Sequence, residues 1–164
     1  MYNFPGTPGN DIIVGSPWND RILGLAGNDS LSGGAGNDAI EGGLGRDTLT
    51  GGTGNDWFVY RDTRESQAGA NRDVIKDFLR GSDKIDLRSI DANPFNSKPP
   101  GFNPNDAFTW KGLNGKINGI GQVRYILSGG NAILQVNTDR NFDNFEMEIQ
   151  LNSVTYLSSA DLAL

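Results

Sequence analysis

From Gly6 to Val59, apolar and polar positions recur with a period of nine. Six units follow one another without a gap: GTPGNDIIV, GSPWNDRIL, GLAGNDSLS, GGAGNDAIE, GGLGRDTLT and GGTGNDWFV. The eighth position is always large and apolar: Ile13, Ile22, Leu31, Ile40, Leu49 and Phe58. The sixth is always aspartate: Asp11, Asp20, Asp29, Asp38, Asp47 and Asp56. Position one is always glycine, and position four is glycine in every unit but the second, where Trp18 stands. One apolar side chain per unit suits a short strand with a single inward residue. Glycines before it suit a tight loop that turns through positive φ or must approach another backbone. Two loop-and-strand units then make one flattened coil of 18 residues, so units 1, 3 and 5 stack on one edge and units 2, 4 and 6 on the other. The competing reading, a flexible glycine-rich linker, gives no reason for aspartate and an apolar residue to stay in phase six times.

Past residue 60 the period ends. The segments VIKDF (74–78) and KIDL (84–87) alternate as strands do. Residues 91–105 hold four of the seven prolines and read as a surface loop. QVRYIL (122–127) and AILQVN (132–137) flank Ser128-Gly129-Gly130-Asn131, a good hairpin turn, and FEMEIQL (145–151) alternates again. The expected fold is all-β. A stack of parallel coils of nonapeptide repeats spans residues 1–60, and a β-sandwich-like cap spans 61–164. The two pack as one unit, with the cap covering the open edge of the last rung. Phe58, Phe78 and Trp110 are expected in the core.

Composition narrows the chemistry. The net charge is −6 and 23 of 164 residues are glycine. An acidic chain is a poor partner for nucleic acid or an anionic membrane surface, and a good one for cations. Without cysteine or histidine there are no disulfides, no zinc site of the usual kind and no histidine-based catalysis. No apolar run approaches the length of a membrane span. Met1-Tyr2-Asn3-Phe4-Pro5 has neither a basic region nor a long apolar stretch, so no cleavable secretory signal is expected there. A monomer is expected.

The repeated aspartates point to a metal. Stacked coils lie ~4.8 Å apart, which brings residues such as Asp29 and Asp47 together. At about 4 Å, like charges repel by roughly 1 kcal/mol in water and about 4 kcal/mol at an effective dielectric of about 20. A column of them needs a cation. Carboxylate and carbonyl oxygens select a hard ion with six to eight ligands, which is calcium. Few inward side chains and many glycines leave the array short of burial for the chain it orders, so folding is expected to be coupled to the metal.

The nonapeptide is the known signature of a calcium-binding parallel β-helix, and these repeats resemble the RTX (repeats-in-toxin) β-roll of proteins exported by type I secretion. The stretch WFVYRDTRESQAGANRDVIKDFLRGSDKIDLRSI is similar to the segment after the last repeat in serralysin-type metalloproteases. NDAFTW and DNFEMEIQLNSVTYLSSADL continue the likeness. Similar modules follow the catalytic domains of mannuronan epimerases and some secreted lipases. The resemblance implies a right-handed parallel β-roll over residues 1–60, with calcium held between stacked loops. One loop supplies the carbonyls of positions two and four with its aspartate, and the next coil supplies those of positions one and three with its own.

Carried onto this chain, that implies a site of Gly34, Gly36 and Asp38 with Gly51, Thr53 and Asp56. A second joins Leu25, Gly27 and Asp29 to Gly42, Leu44 and Asp47. A third joins Thr7, Gly9 and Asp11 to Gly24, Ala26 and Asp29. Gly43, Gly45 and Asp47 would face a degenerate seventh loop, Tyr60, Asp62 and Glu65. Gly52, Gly54 and Asp56 would be completed by Asp73 and Asp83. In the second unit, Trp18 either distorts a site of Ser16, Trp18 and Asp20 with Gly33, Ala35 and Asp38, or caps the open end of the roll. About four or five calcium ions are expected, not six.

The tail Asp161-Leu162-Ala163-Leu164 resembles an uncleaved C-terminal export signal; the alternative is a frayed terminal strand. Nothing supports catalysis: HExxH and a nucleophile elbow are both missing. Asp143, Glu146 and Glu148 could form a carboxylate pair, but polar positions on an alternating strand explain them better. The leading expectation is a secreted bacterial module, disordered in the calcium-poor cytosol and folded outside, working with the type I secretion machinery. The alternatives are a polysaccharide-binding module of a carbohydrate-active enzyme, with an alginate-like ligand, and a free-standing calcium-binding surface protein.

Overall fold

The computed structural model describes residues 1–90, 108–139 and 144–164. These residues form two β-sheets and no α-helix. Each repeat contributes one short strand, so the strands alternate between sheets along the chain. The first sheet begins with β1 (Tyr2–Pro5), β3 (Asp20–Leu23), β5 (Ala39–Glu41) and β7 (Trp57–Val59). The second begins with β2 (Ile12–Val14), β4 (Ser30–Ala35) and β6 (Thr48–Thr53). Every neighbouring pair in these runs is parallel, as Ile12 opposite Ser30 and Arg21 opposite Ala39 illustrate.

This register stacks the eighth positions into two apolar columns. Ile13, Leu31 and Leu49 form one, and Ile22, Ile40 and Phe58 the other. All but the first-coil Ile13 are fully buried. The columns do not stop with the repeats. Ile75 on β8 (Asp73–Ile75) extends the first from Leu49, and Ile85 on β9 (Lys84–Asp86) extends the second from Phe58. Phe4 heads the second column beside Ile22.

The C-terminal residues continue both sheets, so the roll and its sandwich-like cap share them. On the second sheet, β13 (Met147–Leu151) pairs with β8. The antiparallel pair β11 (Gln122–Ser128) and β12 (Asn131–Asn137) follows, then β10 (Thr109–Leu113). The hairpin turn falls at Gly129 and Gly130, whose φ of 58° and 81° only glycine adopts freely. On the first sheet, β14 (Leu162–Ala163) pairs with β9. The tail is therefore a docked strand and not a frayed one. Asp161, just before it, accepts from Gly81 N at 3.1 Å and faces Arg80 at 3.5 Å.

Phe58 and Phe78 are buried, and Trp110 stacks on Tyr125 with ring centroids 5.8 Å apart. Strand β13 departs from simple alternation, because the segment after the last repeat covers its second face. There Glu148 is buried and accepts from Arg72, Gly69 N (3.0 Å) and Gln135 (2.7 Å). Glu146 accepts from Thr138 N at 2.6 Å. Both carboxylates thus serve the framework. The loop expected at 91–105, the first half of NDAFTW, and Asp143 lie outside the described residues.

Candidate metal centre

The loops of units three to six share one conformation. Positions two and four have positive φ: Leu25 and Gly27 at 79° and 123°, Gly34 and Gly36 at 101° and 114°, Gly43 and Gly45 at 95° and 135°, Gly52 and Gly54 at 98° and 134°. Leu25 takes a conformation that side chains resist, and its side chain stays half exposed. Such loops aim successive backbone groups toward one edge of the coil.

Each aspartate then splits its two oxygens between two tasks. The Oδ1 of one coil accepts the backbone N–H of the aspartate below: Asp29 from Asp11 (2.8 Å), Asp47 from Asp29 (2.8 Å), Asp38 from Asp20 (2.7 Å) and Asp56 from Asp38 (2.9 Å). The Oδ2 atoms of Asp29, Asp38, Asp47, Asp56 and Asp73 are buried with no hydrogen-bond partner. A buried carboxylate oxygen without a donor is costly, and five in two rows are not a packing accident.

Burial dominates their electrostatics. It pushes Asp47 up to about 7, with the charges of Asp29 and Glu65 adding to the shift. It lifts Asp56 to about 6 and Asp73 to about 8, and it also raises Asp29, Asp38, Glu65 and Asp83. Tyr60, wholly buried near Asp73, is held well above the ordinary phenol range, chiefly by burial.

The position-one glycines make room beside these oxygens. A Cβ on Gly33 would strike both Asp38 Oδ2 and Gly51 O, and one on Gly24 would strike both Asp29 Oδ2 and Gly42 O. The carboxylate of one coil and the first carbonyl of the next thus flank the same bare Cα. Among the described residues no three acidic side chains gather at one point. The donor set is instead two carboxylates per gap with backbone carbonyls around them. All are hard oxygen donors, as calcium requires. The residues present therefore fit the ion.

The structure brings together the expected sets Gly34, Gly36, Asp38 with Gly51, Thr53, Asp56, and Leu25, Gly27, Asp29 with Gly42, Leu44, Asp47, in coils one step apart. Within the second set, Leu25 O and Leu44 O also accept coil-to-coil bonds of 2.9 and 2.8 Å. A carbonyl has a second lone pair for a metal.

The first coil differs. Thr7, Gly9, Ser16 and Trp18 lack positive φ. The Thr7 amide and hydroxyl both close on Asp11 Oδ2 at 2.6 and 3.0 Å, and Ser16 does the same to Asp20 at 2.6 and 2.8 Å. Burial pushes Asp20 up, but the Ser16 bonds, the Tyr2 amide and the N-terminal charge together outweigh it, and its carboxyl ends below the usual range. Trp18 is exposed at the open end. The third set, Thr7, Gly9 and Asp11 with Gly24, Ala26 and Asp29, is stacked but has its first carboxylate engaged by Thr7. The same holds for Ser16, Trp18 and Asp20 with Gly33, Ala35 and Asp38.

The last coil corrects one pairing. Asp73 was expected to join Asp83 beside Asp56; instead its Oδ1 accepts Asp47 N at 2.8 Å, on the opposite edge. Asp83 alone meets Asp56, accepting its N–H at 3.0 Å. The reason is an insertion. Asp73 lies 26 residues after Asp47, where a regular coil takes 18. Glu65 keeps the nine-residue phase, but its carboxylate accepts Arg61 N at 2.9 Å within its own loop. Asp62 turns to Arg64, at 2.9 and 2.7 Å, and its carbonyl accepts Glu65 N. Tyr60 N donates to Asp86 O.

Two contributors escaped the sequence reading. Asp77 receives Gly51 N and Gly52 N, both at 2.9 Å, and so closes the last repeat loop. Position-five asparagines form a second ladder: Asn10, Asn19, Asn28 and Asn37 each accept the amide one coil later, at 2.7–2.9 Å. Five asparagines in six units were the signal for it.

Comparison with known proteins places the chain and its fold. The family model described as peptidase M10 serralysin C terminal matches residues 3–159. No curated protein matches by sequence. Among solved structures, the AlgE6R3 subunit of the Azotobacter vinelandii mannuronan C5-epimerase is similar, with a TM-score of 0.65 and 26% identity over 96% of this chain and 80% of that one. The AlgE6R2 subunit has a TM-score of 0.57 and 28% identity, over 92% of this chain and 90% of that one. Stacked repeats, paired aspartates and the match over nearly the whole chain lead to one assignment: the chain belongs to the peptidase M10 serralysin C-terminal family, as an RTX-type calcium-binding β-roll module.

Proposed function

We propose that the chain is a non-catalytic module that folds when calcium binds between its coils, and so supports type I secretion and extracellular folding of an attached enzyme. The observation that carries this reading is the double row of buried, partnerless Oδ2 atoms. Four gaps combine a lower loop of the shared conformation with an aspartate on each side: Asp29–Asp47, Asp47–Asp73, Asp38–Asp56 and Asp56–Asp83. Each would hold one ion through its two carboxylates and the carbonyls of the adjoining loops. Calcium there neutralises charge that the fold otherwise crowds together.

Extracellular calcium modules bind with Kd on the order of 10⁻⁴–10⁻³ M. At cytosolic calcium the array stays unfolded and can be threaded out; outside the cell it folds. The C-terminal tail is available to the export machinery only before folding, since Leu162 and Ala163 afterwards pair with Ile85 and Asp86. Far-UV circular dichroism with and without EDTA tests the central step. The expected result is a disordered spectrum in EDTA and a β spectrum in millimolar calcium. An ordered β spectrum in EDTA at about pH 8, where the acid carboxylates are ionised, overturns the reading.

The likeness to epimerase subunits favours a second, compatible role, binding an acidic polysaccharide for an attached enzyme. Four or five ions would add roughly eight to ten positive charges and reverse the net −6. Nuclear magnetic resonance titration with alginate oligomers at fixed calcium tests this; no shifts at millimolar oligomer would reject it.

A further inference from the structure

The fifth repeat departs from the others at position five, where Arg46 replaces asparagine. Arg46 N still donates to Asn28 Oδ1 at 2.9 Å, but its side chain offers no oxygen to the next coil, so the ladder ends there. One coil on, Arg64 N turns to Asp62 of its own loop, also at 2.9 Å. The inserted segment then folds as two short 3-10 turns, Thr63–Ser66 and Gly69–Asn71.

Between the fifth loop and this segment lies a cavity of about 380 Å³. Asn28, Leu44 and Arg46 line it from the repeats, and Arg64, Gln67 and Asn71 from the insertion. The Arg46 guanidinium has no ion-pair partner among the described residues. Two guanidinium groups therefore share one recess in a chain of net charge −6, and only Arg64 has a carboxylate, Asp62 at 2.7 Å.

The lining sorts into three kinds of contact. Arg46 presents a planar fork that matches a carboxylate. Asn28, Gln67 and Asn71 carry amide groups suited to hydroxyls. Leu44, half exposed, gives an apolar surface for a sugar ring. Small-molecule sites run from roughly 300 to 1,000 Å³, so the recess has room for one or two such rings. We propose that this groove is a subsite for a carboxylate-bearing sugar unit of a uronate glycan, with Arg46 as the residue that takes the carboxylate. The proposal rests on the polysaccharide reading of the module and is independent of what folds it.

The test compares the full chain with Arg46→Asn. That variant restores the asparagine of the other repeats and keeps the backbone N–H that donates to Asn28 Oδ1, while Arg64 N stays on Asp62, so the fold is kept. Heteronuclear spectra of the folded, calcium-loaded chain are followed during titration with oligomannuronate, then with a neutral oligosaccharide of equal length, then with monomeric glucuronate. The expected result is shifts at Arg46, Arg64 and Asn71 with oligomannuronate, weaker ones at the same residues with glucuronate, and none with the neutral sugar. Arg46→Asn should keep a dispersed spectrum and weaken oligomannuronate binding by about tenfold or more. Equal affinity in Arg46→Asn, equal shifts with the neutral sugar, or shifts confined to another surface overturns the proposal. Loss of calcium-dependent folding would appear separately, as an unchanged wild-type spectrum on EDTA addition.

Discussion

The backbone N–H of Asp29 donates to Oδ1 of Asp47 across 2.8 Å, and Oδ2 of the same carboxylate is left buried without a partner. One oxygen sets the register of adjacent coils; the other faces the gap where a cation belongs. Under the proposed function this pairing would make folding and metal binding a single event, because the coil that positions the carboxylate is itself held by it.

Asp47 serves two gaps, one toward Asp29 and one toward Asp73. Asp47→Asn keeps an oxygen for the Asp29 amide but removes the charge. Calorimetry should show the calcium stoichiometry falling by one to two ions, with the remaining affinity lowered. Asp11→Asn is the contrast, since the Thr7 amide and hydroxyl both close on that carboxylate and its loop lacks the positive φ of the inner coils, and should leave the stoichiometry unchanged.

The raised carboxylates set a pH dependence of opposite sign in the two states. Burial lifts Asp56 to about 6, Asp47 to about 7 and Asp73 to about 8, each from an ordinary 3.8. A group raised on folding binds its proton more tightly in the folded state. Its stabilisation is complete below the unfolded value and is lost as pH rises through the folded one. Without calcium, the chain should therefore gain β structure as pH falls from about 8 toward about 4. With calcium, protons compete for the same oxygens, so affinity should fall over that window. Circular dichroism in EDTA and calcium titrations at matched pH check both directions.

The repeats were legible because their period carries two demands at once. An apolar residue at position eight and an aspartate at position six can share a phase only if coils stack. Leu31 beneath Leu49 and Asp29 beneath Asp47 follow directly. The phase runs out at the last coil: Glu65 keeps the count of nine and its charge still bears on Asp47, but the strand register passes to Asp73. An insertion is invisible to counting until a strand partner fixes it. The first coil hid its own exception, because Thr7 and Ser16 look like ordinary loop residues until their hydroxyls close on Asp11 and Asp20.

Glycine at position four should matter in inner coils and not in the first. Gly45 has a φ of 135°, and a Cβ there would collide with Gly27 O. Gly45→Ala should destabilise the calcium-loaded fold by ~2 kcal/mol or more. Gly9 lies outside the left-handed region, and the nearest atom to a Cβ there is Thr7 Oγ1 at 3.8 Å. Gly9→Ala should be neutral or slightly stabilising, by up to ~1 kcal/mol, because alanine restricts the unfolded chain. Thermal melts of the two variants at equal calcium make the comparison.

Cutting the chain after Tyr60 should disable repeats that keep every residue of their own. The cut removes Asp73, whose Oδ1 holds Asp47 N, and Asp83, whose Oδ1 holds Asp56 N. It also removes Ile75 and Ile85, the next members of the columns that run through Leu49 and Phe58. Two of the four complete gaps lose a carboxylate, and the last rung exposes both strand edges. The fragment 1–60 should stay disordered at calcium concentrations that fold the full chain. The double variant Asp73→Asn/Asp83→Asn separates the causes, since it keeps the columns and removes only charge. It should fold at higher calcium with two fewer ions bound. If instead the fragment alone folds and binds as tightly as the intact chain, the repeats are self-sufficient, and the metal ladder does not reach into the C-terminal strands.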